Sequence, residues 1–204
     1  MGNSDHQRAF IHELGHFIAS ELNFRIYKYD RRIEEFIISP RKGSEFSDGE
    51  VKTSKATALS YDPYNTAKEY VKTFYGCLFE ILYRKIQINE CLCSRIIDEF
   101  LILNYGNGLL DYQQMGNIAS RPEINKYKKE WFSYITKNQI ENIKNNPEFE
   151  RIFELKYENY ILTNENDFCY IDIEKLIPDV ENFINSHSKF YKNLVETLEH
   201  IVLK

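Results

Sequence analysis

Hydrophobic residues recur at helical spacing over most of this 204-residue chain. Ser4 and Gln7 have the spacing of a capping box, which predicts that the first helix begins at Asp5. Two later stripes of apolar residues, one from Ile124 to Ile135 and one from Phe149 to Ile161, predict further helices. The other predicted helices are Asp5–Leu22, Pro63–Lys85, Asn89–Leu103, Leu109 to just before Pro122, and Pro178–Leu203.

Strand patterns are confined to two stretches. Phe24–Ser54 contains short alternating runs, with turns predicted at Pro40, Gly43 and Gly49. Asn164–Ile173 is typical of a loop or a short strand. The predicted fold class is therefore mainly α within the α+β group, with a small sheet or hairpin after the first helix and a helical C-terminal half.

Length and composition favour one globular unit. A change of character near Arg121 separates residues 1–120 from a helical region, 121–204, which we expect to pack on the first part. The net charge of -5 argues against nucleic acid as a partner, and no apolar run is long enough to span a membrane. The four cysteines do not form a disulfide framework in a chain of this length, so we expect core thiols and a cytoplasmic setting.

Polar residues in the first helix are few and specific. Between Ala9 and Ala19 the only polar side chains are His12, Glu13 and His16. A helix with almost no polar face is usually buried, and buried polar groups must be paired or bound to a ligand. The stretch RAFIHELGHFIAS therefore predicts a site and not a solvated surface.

The spacing of these three residues fits a zinc site. His12 and His16 are four positions apart, so both imidazoles lie on one helix face, as two ligands of one ion require. Glu13 is about 100° around the helix, placed to contact a water on the metal in the H-E-x-x-H arrangement. The alternative is a pair of satisfied core histidines, but Gly15 and Ala19 leave the histidine face uncrowded.

A catalytic zinc site needs a third protein ligand and an open position. Ala19 and Leu22 occupy the later positions of the extended H-E-x-x-H-x-x-G-x-x-H pattern, so the third ligand must come from elsewhere. His187 and His200 have the right chemistry, but their helix pattern predicts exposed side chains, as we also expect for His6.

Two carboxylates are stronger candidates. Glu80 lies among apolar residues, with Gly76 one turn earlier where another helix could approach closely. Asp111 lies on the same predicted face as Met115 and Ile118. A cation would offset the cost of burying either acid, and so would an arginine or a helix N-terminus. The residues alone do not choose between Glu80 and Asp111.

The order of four segments resembles the peptidase domain of the FtsH family, the membrane-tethered ATP-dependent zinc proteases. The match covers roughly His6 to Ser120, and only its first motif is individually strong. The matching segments are RAFIHELGHFIAS, IISPRKGSEFSDGEV, YGCLFEILY and NGLLDYQQMGNIA. Their family counterparts are A-x-H-E-A-G-H-A, a strand with Ile-Pro-Arg-Gly, Leu-Gly-Gly-Arg-x-Ala-Glu, and Asn-Asp-Leu-x-x-Ala-Thr-x-x-Ala.

The resemblance implies a role for several residues. It makes Asp111 the third zinc ligand, Glu80 a supporting residue near the site, and Phe36, Ile37, Ile38 and Ser39 a substrate-binding edge strand. Cys77-Leu78-Phe79-Glu80 departs from the family's Arg-Ala-Ala-Glu, and most of the second half does not match.

These observations predict a zinc-dependent, zincin-like metallopeptidase that acts on unfolded polypeptides or peptides, with Glu13 as general base. The family's ATPase module and membrane anchor have no counterpart in the sequence, so we expect folded substrates only with a separate ATPase partner. Related protease domains form hexameric rings, which makes a homo-oligomer a second expectation. The rival hypothesis is a zinc-binding scaffold or partner-binding domain that has lost peptidase activity, and a zinc hydrolase of another bond type is a third.

Overall fold

The computed structural model describes residues 2–29, 33–40, 47–53, 63–87, 109–165 and 167–202. These ranges form a mainly helical fold with one small antiparallel sheet, which confirms that part of the expected fold class. The predicted helix Asn89–Leu103, Cys91, Cys93 and the predicted turn at Gly43 lie outside the described residues. In chain order the elements are α1 (Gly2–Tyr27), β1 (Ile33–Pro40), β2 (Ser47–Thr53), α2 (Pro63–Gln87), α3 (Leu109–Ala119), α4 (Pro122–Asn125), α5 (Lys128–Asn145), α6 (Glu148–Phe153), a 3₁₀ helix (Tyr157–Tyr160), β3 (Ile161–Glu165), β4 (Phe168–Ile171) and α7 (Ile173–Val202).

The first helix is buried on most of its circumference, as its sequence predicts, but it is longer than expected at both ends. The predicted capping box is wrong, because Ser4 lies inside the helix and Gln7 bonds elsewhere. The amide of Gln7 donates to the Leu155 carbonyl and accepts from the Tyr157 backbone N–H. These bonds tie α1 to the second half of the chain.

Helices α1 and α2 pack with very little space between their backbones. A Cβ at Gly15 would overlap the carbonyl oxygen of Tyr75, and a Cβ at Gly76 would overlap the imidazole of His16. Glycine is the residue that permits such an approach of backbone to backbone. The close approach predicted for Gly76 is confirmed.

The sheet has the strand order β2-β1-β4-β3, and each neighbouring pair is antiparallel. Strands β1 and β2 form the hairpin predicted after the first helix. The turn predicted at Gly49 is wrong, because Gly49 lies inside β2, opposite Ile38. A glycine inside a strand often marks a place where another group approaches the backbone closely.

The second half of the chain contributes strands as well as helices. Asn164–Ile173 was expected to be a loop or a short strand, and it carries β4, which pairs with β1 at Ile37 and Ile38. The Phe149–Ile161 stripe spans α6, the 3₁₀ helix and the start of β3, so it does not form one helix. Both halves therefore build one sheet, and buried residues of both halves belong to one hydrophobic cluster.

The last helix begins at Ile173 and not at Pro178. Asp172 explains the earlier start, because its side-chain carboxylate accepts the Lys175 backbone N–H at 3.1 Å, as an N-cap residue does. Pro178 lies inside the helix, close to that end. Within the described ranges, no helix combines the length and apolar character needed to cross a membrane.

His187 is fully buried, which corrects the prediction that it is a surface residue. Its Nδ1 accepts from the Asn142 side-chain amide at 3.2 Å, so its Nε2–H donates to the Tyr75 hydroxyl at 2.5 Å. His187 lies on the apolar face of α7, packed against Phe183 and Phe149. Burial lowers the pKa of His187 to about 3, so the ring is neutral.

This burial makes stability depend on pH. An unfolded chain binds a proton at His187 near pH 6.5, whereas the folded chain does not until about pH 3, so acid favours the unfolded state across that interval. Between pH 7 and pH 5 we expect the wild type to lose about 2 kcal/mol more unfolding free energy than His187→Gln. Urea titrations at both pH values measure this difference. His200→Gln changes an exposed histidine of the same helix and should follow the wild type; equal losses in all three proteins would contradict the assignment.

Candidate metal centre

Three side chains converge beside α1. His12 Nε2 lies 2.7 Å and His16 Nε2 3.1 Å from the same oxygen, Oδ2 of Asp111, which belongs to the first turn of α3. The two Nε2 atoms are 3.2 Å apart. Among the described residues, these three form the group of histidines, cysteines and acids whose donor atoms lie close enough together to hold a metal ion.

The donor set matches a zinc ion in chemistry and approximately in size. Zinc bonds of 2.0–2.1 Å in tetrahedral geometry place ligand atoms about 3.3 Å apart. The observed separations of 2.7 to 3.2 Å are slightly shorter, so an ion requires the three atoms to spread by only a few tenths of an ångström. Two imidazoles and one carboxylate leave one tetrahedral position for a further ligand.

The other ring nitrogens hold both histidines in the orientation that metal binding needs. His12 Nδ1–H donates to Glu80 Oε2 at 3.0 Å, and His16 Nδ1–H donates to the Lys72 backbone carbonyl at 3.0 Å. Each bond fixes the proton on Nδ1 and leaves Nε2 as the nitrogen that faces Asp111. Such outer contacts orient metal-binding histidines and increase their basicity.

Glu80 supports His12 and does not join the three converging atoms. Its side chain is 0% exposed, and the Arg8 guanidinium contacts Glu80 Oε1 at 2.8 Å while Arg84 contacts the same oxygen. Burial alone raises the pKa of Glu80, but His12 and the two arginines outweigh it and lower the pKa to about 2. Of the two carboxylates that the sequence left open, Asp111 is the one that joins the converging atoms, and Glu80 is the hydrogen-bond partner of His12.

The charges of the group are strongly coupled. Burial lowers the pKa of His12 and His16, yet Asp111, with Glu80 at His12, outweighs burial and raises both values. Burial likewise raises the pKa of Asp111, but the two histidines hold it well below its usual range. The pocket thus keeps an ionised carboxylate between two imidazoles that tend to be protonated. A cation bound there would take the place of those protons.

Glu13 lies next to this group, under strand β2. A Cβ at Gly49 would overlap the Cγ of Glu13, so the missing side chain at Gly49 lets the strand cover the carboxylate. Glu13 is 7% exposed, and burial raises its pKa although both histidines oppose the shift. A carboxylate whose affinity for protons is raised is suited to accept a proton and release it again.

A cleft of ≈ 700 Å³ opens over these residues. Its floor includes His12, Glu13, His16 and Asp111, and one wall is formed by residues 49–52 of β2. Phe168 and Tyr170 of β4 also line it, and neither was predicted from the sequence. Their local signal was the short run of apolar residues FCYI, but β4 pairs with β1 across more than 130 positions, which no local pattern reveals.

The predicted substrate strand needs correction. Phe36–Ser39 belong to β1, an interior strand on which Ile37 and Ile38 have partners on both sides, so edge pairing at these two residues is wrong. The strand order places β2, and not β1, at the edge of the sheet. Phe36 and Ile38 face the core, and only Ile37 and Ser39 line the cleft.

His6 and His200 do not belong to the group of converging donors. His6 is half-buried and stacks on Tyr157, and His200 is exposed and contacts the Glu196 carbonyl.

Comparison of the chain with protein-family models, curated proteins and solved structures gives no match.

The space at Gly76 provides a test of the metal centre. Gly76→Ala places a methyl group where the His16 imidazole lies, so we expect zinc affinity to fall by at least the 10- to 100-fold (about 1.4–2.7 kcal/mol) typical of losing an outer contact. Titration against a competing zinc chelator measures the affinity. Gly116→Ala makes the same change at a helical glycine with open space around it and should bind zinc like the wild type. Unchanged affinity in Gly76→Ala would exclude His16 as a ligand.

Proposed function

We propose that this chain is a zinc-dependent metallopeptidase that hydrolyses peptide bonds in unfolded polypeptides or peptides. The observation that carries the proposal is the convergence of His12, His16 and Asp111 on one point of a cleft, with the Glu13 carboxylate beside them. Three protein ligands and an open fourth position are the usual composition of catalytic zinc sites. We include in the proposal a zincin-like domain related to the FtsH family.

The residues fit zinc better than the other common divalent cations. Two imidazole nitrogens are poor ligands for Mg²⁺ and Ca²⁺, which prefer oxygen, whereas zinc accepts nitrogen and carboxylate oxygen together. A bound zinc ion would supply Lewis acidity, lowering the pKa of a water and polarising a carbonyl. His12, His16 and Asp111 would hold the ion, and Glu80 with the Lys72 carbonyl would keep both rings oriented.

Glu13 would move the proton. Its carboxylate lies at the floor of the cleft with a raised pKa, so it can take a proton from the attacking water and deliver it to the leaving amine. Gly49 contributes by allowing β2 to lie over Glu13 without a side chain in between. The base is thus shielded by backbone, while the cleft keeps its carboxylate accessible.

The substrate would bind along β2. This strand pairs with β1 on one side, lies at the end of the strand order, and lines the cleft through Gly49, Glu50, Val51 and Lys52. An extended peptide can add to such an edge through main-chain hydrogen bonds, which do not depend on its sequence. Unfolded segments offer this backbone, which supports them as the substrate class.

Replacement of the base tests the mechanism. We expect Glu13→Gln to lower kcat/KM on an unfolded, fluorescently labelled protein by about 100-fold or more, because general-base catalysis typically contributes that factor. Zinc content should stay that of the wild type, since no ligand is changed. Glu150→Gln, an exposed glutamate of α6, serves as the matched control and should keep full activity. Equal turnover by wild type and Glu13→Gln would remove Glu13 from the chemistry.

One contact favours a second candidate, the zinc-binding scaffold without peptidase activity. The buried thiol of Cys77 donates to Asp111 Oδ2 at 3.9 Å, so a fourth protein donor is close to the ligand group. Structural zinc sites are closed by four protein ligands. Burial raises the pKa of Cys77 well above its ordinary value, which disfavours a thiolate in the absence of an ion.

Cobalt substitution separates the two candidates. A thiolate ligand gives Co²⁺ a strong sulfur-to-metal charge-transfer band in the near ultraviolet, whereas two imidazoles, a carboxylate and water do not. We expect no such band, and the same spectrum in Cys77→Ser. A band that disappears in Cys77→Ser would show a closed site and favour the scaffold.

A further inference from the structure

Strands β1 and β4 carry apolar side chains on the face of the sheet that points away from the core. Tyr170 lies directly opposite Ile37, and Phe168 is two residues before Tyr170, so all three share one face. The opposite face holds Phe36 and Ile38, which are 1% and 0% exposed and belong to the core. The sheet is therefore apolar on both faces at this point.

An antiparallel sheet with one solvated face normally alternates apolar and polar residues. Here the alternation fails, and Phe168 remains 44% exposed, although Ile37 beside Tyr170 is only 7% exposed. Ile37, Phe168 and Tyr170 all line the cleft that contains the candidate metal ligands. The exposed aromatic ring therefore borders the same cleft as the candidate metal ligands.

Charged residues border this apolar surface on the β2 side. Lys52 Nζ contacts Glu35 at 2.9 Å and Glu50 at 3.6 Å, and Glu50 lies directly opposite Ile37. An apolar floor with a polar rim is the usual anatomy of a site that binds a protein segment. Two of these rim residues, Glu50 and Lys52, belong to β2, the strand along which a peptide would pair.

We infer that Ile37, Phe168 and Tyr170 form a hydrophobic subsite that binds a large apolar side chain of a polypeptide substrate, with Phe168 as its main contact. The inference rests on the proposed function for the nature of the substrate. Main-chain pairing with β2 would give affinity without sequence preference, and the subsite would add a preference for leucine, phenylalanine, methionine or tryptophan. Such residues are buried in folded proteins and exposed in unfolded ones, so the subsite selects for unfolded chains.

Cleavage profiling tests the preference. Mass spectrometry of a digested peptide library should show large apolar residues enriched at a fixed distance from the cleaved bond. Phe168→Ser should lose this enrichment and raise KM for apolar peptides about tenfold with kcat little changed, the factor expected for about half of the burial of a phenylalanine. Leu162→Ser is the matched control, because Leu162 is 63% exposed on the neighbouring strand and does not line the cleft. An unchanged profile in Phe168→Ser would overturn the subsite.

Binding separates the subsite from the peptidase activity. Fluorescence anisotropy would compare two labelled unfolded peptides, identical except for one phenylalanine or serine, on Glu13→Gln and on Glu13→Gln with Phe168→Ser. The subsite is supported if Glu13→Gln binds the phenylalanine peptide more tightly than the serine peptide. The difference should disappear in Glu13→Gln with Phe168→Ser and remain in Glu13→Gln with Leu162→Ser. This result would support the subsite even if the wild type hydrolyses nothing. Equal binding of both peptides overturns it, even if the wild type is an active peptidase.

Discussion

The close packing of α1 against α2 is the constraint on which the rest of the structure depends. At Gly15 and at Gly76 there is no room for a Cβ, because a backbone carbonyl fills the first position and the imidazole of His16 fills the second. This approach brings Lys72 and Glu80 of α2 to the back of the two imidazoles. The Nε2 atoms face Asp111 on the other side because of that arrangement and not because of the spacing of the histidines alone.

The same packing buries charges that would be costly if isolated. Glu80 has lost all contact with solvent, and removing an unpaired carboxylate from water costs several kcal/mol. Arg8, Arg84 and His12 compensate this cost, and Asp5 in turn holds Arg8 at 2.8 Å. The candidate centre is therefore part of a continuous polar network that links α1 and α2.

Local pattern was sufficient where neighbours in sequence are neighbours in space. The burial of α1, the shared face of His12 and His16, the close approach at Gly76 and the position of α3 all follow from spacing and residue size. Asp111 could be placed near the histidines only through the resemblance, because the sequence pattern alone supported Glu80 and Asp111 equally as the third ligand. Geometry separates the two acids by the partners that surround each one.

The remaining errors share a physical cause, which is contact across long stretches of chain. Strand β1 is interior because β4 of the β3–β4 hairpin pairs with it. No pattern within residues 33–40 predicts this pairing. Gln7 bonds to residues 155 and 157 and not to its own helix end. His187 is a different case, since Val180, Ile184 and Tyr191 share its face and give a periodic apolar signal that includes the histidine.

The converging donors belong to distant parts of the chain, since His16 and Asp111 are 95 positions apart. An ion held between them would staple α3 to α1 and close a very large loop, so part of its binding energy would be folding energy. A chelator that removed the ion would therefore also remove one link between α1 and α3. In this protein, metal supply would regulate how long the folded chain survives as well as what it does.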